Sequence, residues 1–258
     1  MENLFQFLQA NDLIVRLVLA GIFILGLVAL VYYAYKMENK KMTNAQKIKK
    51  MTLIAILSAL SVGLYFFPKI SISVFLPFMP AFLELHFSNL PIYVGGFLLG
   101  PISGSIIVVI RFISKLPASS TMGTGELLDF IIGLSTVLVS SMIYAKHKTK
   151  HSAKISLLWI TIIWTFVAVL SNWLFILPLY IELFGFNVIF GMLSVIPGIT
   201  TSNYMLFYLL IAIVPFNIIL SSIVSTITYF VYKRVSHIYH DISFSHHPNE
   251  SQQHIEKK

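Results

Sequence analysis

Uncharged apolar runs alternate with short polar segments along most of this chain. Residues 17–35 form the first run, 19 residues without a charge. As a helix it is long enough to cross a hydrocarbon core of about 30 Å. Glu2 and Asp12 precede it and Tyr32, Tyr33 and Tyr35 follow, a poor pattern for a cleaved signal, so a retained helix is expected. Residues 51–67 form a second run, closed by Pro68. Residues 90–99 and 102–111 predict two short helices around Gly100-Pro101, with Gly95, Gly96, Gly100 and Gly104 favouring close packing. Residues 126–144, 155–177 and 204–232 complete the series. Pro178 is expected to stop the sixth run and Pro215 to kink the seventh. Between the runs, residues 69–82 carry Pro77 and Pro80 among apolar side chains, too broken to span. They predict a loop or re-entrant cap, which at membrane depth must be shielded by protein or line a cavity. Residues 115–125 read as a turn-rich loop, 180–203 as a long connection and 233–258 as a polar tail.

Composition strengthens this picture. Of the 258 residues, 57% are hydrophobic and 11% charged, and the mean hydropathy is +0.84. Soluble domains carry about a quarter charged residues. The fold class is therefore all-α, a polytopic membrane protein. Its expected parts are residues 1–50, an extra N-terminal transmembrane helix with a basic linker; 51–236, a membrane core; and 237–258, the tail. The absence of cysteine excludes disulfides, thiol catalysis and cysteine-ligated metal.

The net charge of +8 would suggest nucleic acid in a soluble protein, but topology accounts for it here. Fourteen of the 18 Lys and Arg fall in residues 36–50, 146–154 and 233–258. With seven crossings these segments share one side. The positive-inside rule makes that side cytoplasmic, with the N-terminus outside and the C-terminus inside.

Polar groups beside membrane-length apolar runs are costly and usually mark a pathway or site. Glu84, His86 and Asn89 precede the third run; Arg111 and Lys115 end the fourth; Glu126 and Asp129 open the fifth on one face. Asn172 and Asn217 lie within the last two, and Tyr93, Phe97, Trp173 and Tyr180 are near the same level. Together they predict a small-ligand pocket with apolar walls. Each has a plainer reading. Glu126 could complement a helix dipole. Arg111 could pair with Asp129 or snorkel. The two asparagines could bond between helices, and Trp173 and Tyr180 could form an interfacial belt. Ala55 and Ala59, four apart, would admit another helix, from this chain or a partner. Phosphate-loop, HExxH and GxSxG motifs are missing, and no span pairs two histidines as ligands. His246, His247 and His254 read as a solvated tail, and no metal site is predicted.

The run FxxxxxSxLPxxxGGFLxGPxxG (residues 82–104), then GELxxFxIG (125–133), then PFN and a last helix ending in YKR (215–234) resembles the S components of energy-coupling factor (ECF) transporters. Among these the riboflavin-specific group is most similar, and the resemblance spans about residues 50–236. It implies a six-helix core, a ligand site opening outward, no ATPase of its own and no cofactor, flavin being cargo. It also implies a transmembrane coupling subunit and two cytoplasmic ATPases as partners, with membrane lipid around and no nucleic acid. Ala55 and Ala59 match the family's partner-facing AxxxA motif, and Asn217 matches a ligand-binding position in PFN. Asp129 stands where the riboflavin group usually has Asn. His86 and Asn89 stand in place of acidic residues, and Leu220 in place of a lysine.

Three readings follow. The chain is an S component for riboflavin or a related flavin; an S component for another small molecule; or an intramembrane enzyme using Glu84, His86, Glu126 and Asp129. The resemblance favours the first, and the missing catalytic motifs weigh against the third.

Overall fold

The computed structural model describes residues 12–38, 42–67, 69–147 and 150–244. Its helices are α1 (Asp12–Glu38), α2 (Asn44–Phe66), α3 (Asn89–Leu99), α4 (Pro101–Lys115), α5 (Thr124–His147), α6 (Lys150–Ser171), α7 (Leu177–Phe184), α8 (Phe186–Leu193), α9 (Tyr204–Phe207) and α10 (Val214–Phe244). Among the described residues six candidate membrane spans are long and apolar enough to cross a bilayer, and α3, at 11 residues, is a shorter apolar helix. The protein is an all-α, multi-pass membrane protein.

Local chemistry sets the boundaries. α2 starts about two turns before the apolar run, inside the basic segment. A capping box holds it there: Gln46 N–H donates to Thr43 Oγ1 at 3.3 Å and Thr43 N–H to Gln46 Oε1 at 3.0 Å. Between α3 and α4 the chain turns at Gly100, φ 109°, with Pro101 at the first position of α4. The free N-terminus of α4 is capped from α1. Glu38 accepts from Ile102 N–H at 2.7 Å and Ser103 Oγ at 3.1 Å, and pairs with Lys50 of α2. A carboxylate is favourable at that end of a helix dipole.

Pro178 does not stop the sixth run, as the sequence reading expected. Residues 172–176 form a π turn, and the helix resumes as α7. Leu177 N–H reaches back five residues to the Asn172 carbonyl, and Pro178 falls in the first turn of α7, where a missing N–H is tolerated. Pro215 repeats the device. Residues 208–213 form a second π turn, with Val214 N–H bonded to the Leu209 carbonyl. The expected connection at 180–203 is therefore largely helical, as α7 and α8 about Gly185. The last helix also runs past residue 232 to Phe244. Lys40, Lys41, His246, His247 and His254 lie outside the described residues.

The core is built where α5 packs on α4 and α6, and α10 on α6 and α3. Trp164, Arg111 and Tyr93 are among its largest fully buried side chains. A Cβ at Gly96 or Gly104 would come within 2.7 Å and 2.5 Å of Val137 Cγ2, so α3, α4 and α5 approach backbone to side chain. α1 lies against α4, α5 and the first π turn. Ala34 is its one fully buried side chain among those described, beside Leu138 and Met142. Leu25, Val28, Leu158, Ile162, Phe166 and Phe230 are exposed, a surface suited to lipid.

The broken segment before α3 is a cap. Strands β1 (Ile70–Ser71) and β2 (Glu84–Leu85) pair antiparallel, with Ile70 opposite Leu85 and Ser71 opposite Glu84. A 3-10 turn and the prolines lie between, and Ile72, Met79 and Leu83 are buried beneath.

Candidate ligand site

Under the cap is a cavity of about 360 Å³, within the range of small-molecule sites. Phe82, Leu83, Glu84 and His86 of the cap form its roof, with Tyr65 from the end of α2. α5 supplies Glu126, Asp129 and Ile132 along one face. The opposite walls come from Trp164 of α6, Asn172 and Ile176 of the first π turn, Tyr180 and Phe184 of α7, and Ile189 and Met192 of α8. Tyr208 and Ile213 of the second π turn and Phe216, Asn217 and Leu220 of α10 close it. Both π turns thus face the cavity. A π turn shifts the side chains beyond it relative to a regular helix and leaves main-chain groups to be satisfied elsewhere.

One connected network joins the cap to α2, α4 and α5 at the site. His86 Nε2 lies 3.3 Å from Asp129 Oδ2, and Tyr65 donates its hydroxyl to the same oxygen. His86 Nδ1 is 3.0 Å from Ser88 Oγ. Behind them Arg111, 2% exposed, donates through Nη1 to Ser88 Oγ at 2.8 Å and Asn89 Oδ1 at 2.6 Å. Its Nη2 donates to the Asp129 main-chain carbonyl at 2.9 Å. Arg111 therefore neither snorkels nor forms a direct ion pair with the Asp129 carboxylate. In the neutral ring the network assigns the tautomer: arginine only donates, so Ser88 accepts from it and gives its own proton to His86 Nδ1, leaving Nε2–H toward Asp129. Ser, His and Asp in this order resemble a hydrolase triad. Ser88, however, is 0% exposed and its oxygen is engaged by arginine, so it is unsuited to attack a substrate.

Glu126 is buried and accepts from Ser119 Oγ at 2.6 Å and Thr121 Oγ1 at 2.9 Å, both in the loop after α4. At the mouth Lys69 pairs with Glu84 and lies over the Tyr65 ring. Asn172 Nδ2 donates to the Ala168 carbonyl at 2.8 Å and its Oδ1 accepts from Tyr208 at 3.0 Å. Asn217 Oδ1 accepts from Trp164 Nε1 and its Nδ2 donates to the Ile213 carbonyl, each at 2.8 Å. Both amides bond to protein and also line the cavity, and each keeps a second N–H and a second lone pair.

Of the residues picked out from sequence, Glu84, His86, Glu126, Asp129, Asn172 and Asn217 line the cavity, whereas Asn89 and Arg111 do not. Tyr180 lines it; Tyr93, Phe97 and Trp173 do not. Sequence reasoning missed Tyr65, Lys69, Thr121, Trp164 and Tyr208. Trp164 carried a usable signal, because an indole N–H in the middle of an uncharged run needs a buried acceptor. Among the described residues no three His, Asp or Glu converge to hold a metal.

A helical membrane bundle with a capped cavity, its apolar walls set with a few polar groups, belongs to the class of membrane proteins that bind small molecules. Residues 49–232 match the family model described as "ECF transporter, substrate-specific component", and the chain belongs to that family. It is 28% identical over 202 residues to riboflavin transporter RibU of Staphylococcus aureus (strain TCH60), covering 78% of this chain and 97% of the relative. It is 31% identical over 150 residues to riboflavin transporter RibU of Leuconostoc mesenteroides, covering 55% and 74%. Riboflavin transporter FmnP of Bacillus subtilis is 25% identical over 139 residues, covering 52% and 70%. A solved structure described as "Structure and mechanism of the S component of a bacterial ECF transporter" superposes with a TM-score of 0.58 at 27% identity, covering 75% of this chain and 98% of the other. The protein is therefore a transport component that works with other ECF transporter components on a small-molecule substrate.

Proposed function

We propose that this protein captures riboflavin, or a closely related flavin, from outside the cell for uptake by an ECF transporter. The observation that carries the reading is the cavity, whose aromatic and aliphatic walls carry the Asn172 and Asn217 amides and face the carboxylates of the cap and α5. Similarity along nearly the whole of a riboflavin transporter supports it. The planar ring packs on Phe82, Trp164 and Phe216. Glu84, His86, Glu126, Asp129, Asn172 and Asn217 bond the ribityl chain and ring edge, while Asn89 and Arg111 hold Ser88, His86 and Asp129 in place. The chain has no phosphate loop, so ATP hydrolysis falls to partner subunits: a membrane coupling subunit and two cytoplasmic ATPases. Ala55 and Ala59 are exposed on α2, which supports this face as the seat of the coupling subunit. The distribution of Lys and Arg supports an outside N-terminus and a cytoplasmic C-terminus. Residues 1–50, 51–236 and 237–258 then act as added helix, capture core and tail.

The test is an absorbance and mass spectrum of protein purified in mild detergent without added ligand, followed by titration with riboflavin. A co-purified flavin or saturable riboflavin binding is expected. A colourless protein that ignores riboflavin overturns the flavin reading. It would favour a different small molecule, the reading supported by Leu220 and Asp129 on the cavity wall.

A further inference from the structure

Helix α1 lies outside the family match, which begins at residue 49, yet it touches the ligand site through Arg16. Arg16 Nη1 donates to the main-chain carbonyl of Trp173 at 3.2 Å, and its guanidinium lies 5.8 Å from the centre of the Trp173 ring. The helix around that carbonyl withholds its usual donors. In an α-helix residue 177 would supply the N–H, and in a π turn residue 178 would. Here Leu177 N–H is directed to the Asn172 carbonyl, and Pro178 has no N–H. Arg16 brings a donor from another helix, 157 positions away in sequence.

We propose that α1 is a working part of the ligand site, with Arg16 as a positioning residue that fixes the first π turn and so sets Asn172 and Ile176 in the cavity wall. Arg16 touches no ligand itself. Glu38, anchored on the N-terminus of α4 and on Lys50, keeps α1 from sliding, so Arg16 arrives at a set height. Between these ends Leu17, Val18, Ile22, Leu25 and Val28 are exposed on one face, while Phe23 and Leu27 pack against the core on the other. The effect crosses the cavity, because Asn172 Oδ1 also accepts from Tyr208 of the second π turn at 3.0 Å.

The ligand assay for this proposal rests on the flavin reading. Riboflavin affinity would be measured by quenching of flavin fluorescence on the full chain in detergent, for the wild type, Arg16→Met, Pro178→Ala and the double variant. Removing the donor that α1 brings to the Trp173 carbonyl should weaken binding about tenfold in Arg16→Met. Arg16→Lys, which still donates, should recover part of that loss. Pro178→Ala returns an N–H to the helix, so in that background Arg16→Met should cost less than about threefold. An equal cost in both backgrounds, or none, overturns the proposal. A simple anchor would lower thermal stability equally in both and leave affinity unchanged. Hydrogen exchange of ligand-free protein across residues 172–177 gives a second measure. It should quicken in Arg16→Met and not in the double variant, and unchanged exchange also overturns the proposal. If the wild type binds no riboflavin, the flavin reading alone fails and the exchange result decides the role of Arg16.

Discussion

A methyl group at residue 133 would sit 3.0 Å from Arg111 Nη2 and 3.4 Å from Asn89 Oδ1. Gly133 leaves the space that lets a buried guanidinium lie flat against α5 and reach the Asp129 carbonyl. Gly133→Ala should push Arg111 off these partners and cost about 1–3 kcal/mol of ligand-free stability, read from thermal unfolding in detergent. Asp129→Leu removes the acceptor shared by His86 and Tyr65. Riboflavin binding should weaken by about 1–3 kcal/mol, with Asp129→Asn milder because an acceptor oxygen remains; equal losses in a binding titration would contradict this account. The carboxylates and His86 of the site were legible in sequence because charge beside an apolar run stands out. Tyr65 and Tyr208 were not, since a single hydroxyl on a mostly apolar ring leaves no mark in a hydropathy pattern.

At the scale of the element, the apolar runs gave the helices, and the glycines gave their close contacts. Gly104 approaches Gly96 of α3, where an added Cβ would meet the Gly96 Cα at 3.0 Å and Val137 at 2.5 Å. Gly104→Val should therefore lower the yield of monodisperse protein in size-exclusion chromatography far more than a change at exposed Gly63, which has nothing within 4 Å of its added Cβ. Pro178, expected to end its helix, was where sequence reading failed, whereas Pro215 was expected within a continuous run. Each shows a missing N–H, but neither shows that the preceding turn widens. That choice depends on neighbouring helices able to receive the displaced groups, as Arg16 does for Trp173. The start of α2 was missed for a different reason: its first two turns are basic, and only the capping box at Thr43 and Gln46 marks it.

For the molecule as a whole, the proposed function puts capture and coupling on different surfaces. The cavity lies under the cap, while Ala55 and Ala59 face outward from α2. Ala55→Leu with Ala59→Leu should leave riboflavin affinity within about twofold of wild type and cut uptake in cells that hold the whole transporter. A parallel fall in affinity would show that the two surfaces are not separate. The Lys69–Glu84 pair at the mouth is partly solvated, and Lys69→Ala should change stability by less than about 1 kcal/mol. Three-dimensional convergence of the polar groups was foreseen because several run ends share one level. The layering was not foreseen: Asn89 and Arg111 stand behind the lining, a distinction made by packing depth rather than by position along the chain.

The two attachments of α1 form at very different moments in the life of the chain. It is the first of the described helices to leave the ribosome. Its Glu38 seat on α4 is complete after 64 further residues, but Arg16 meets the Trp173 carbonyl only 157 residues after its own synthesis. Until then a cationic side chain must be tolerated near one end of a lipid-facing helix, drawn toward the interface. Insertion of this protein is thus not complete when its first helix crosses the bilayer. That helix is docked at one end early and locked at the other late, so a nascent chain halted before the first π turn carries a half-seated helix and an unfinished pocket together.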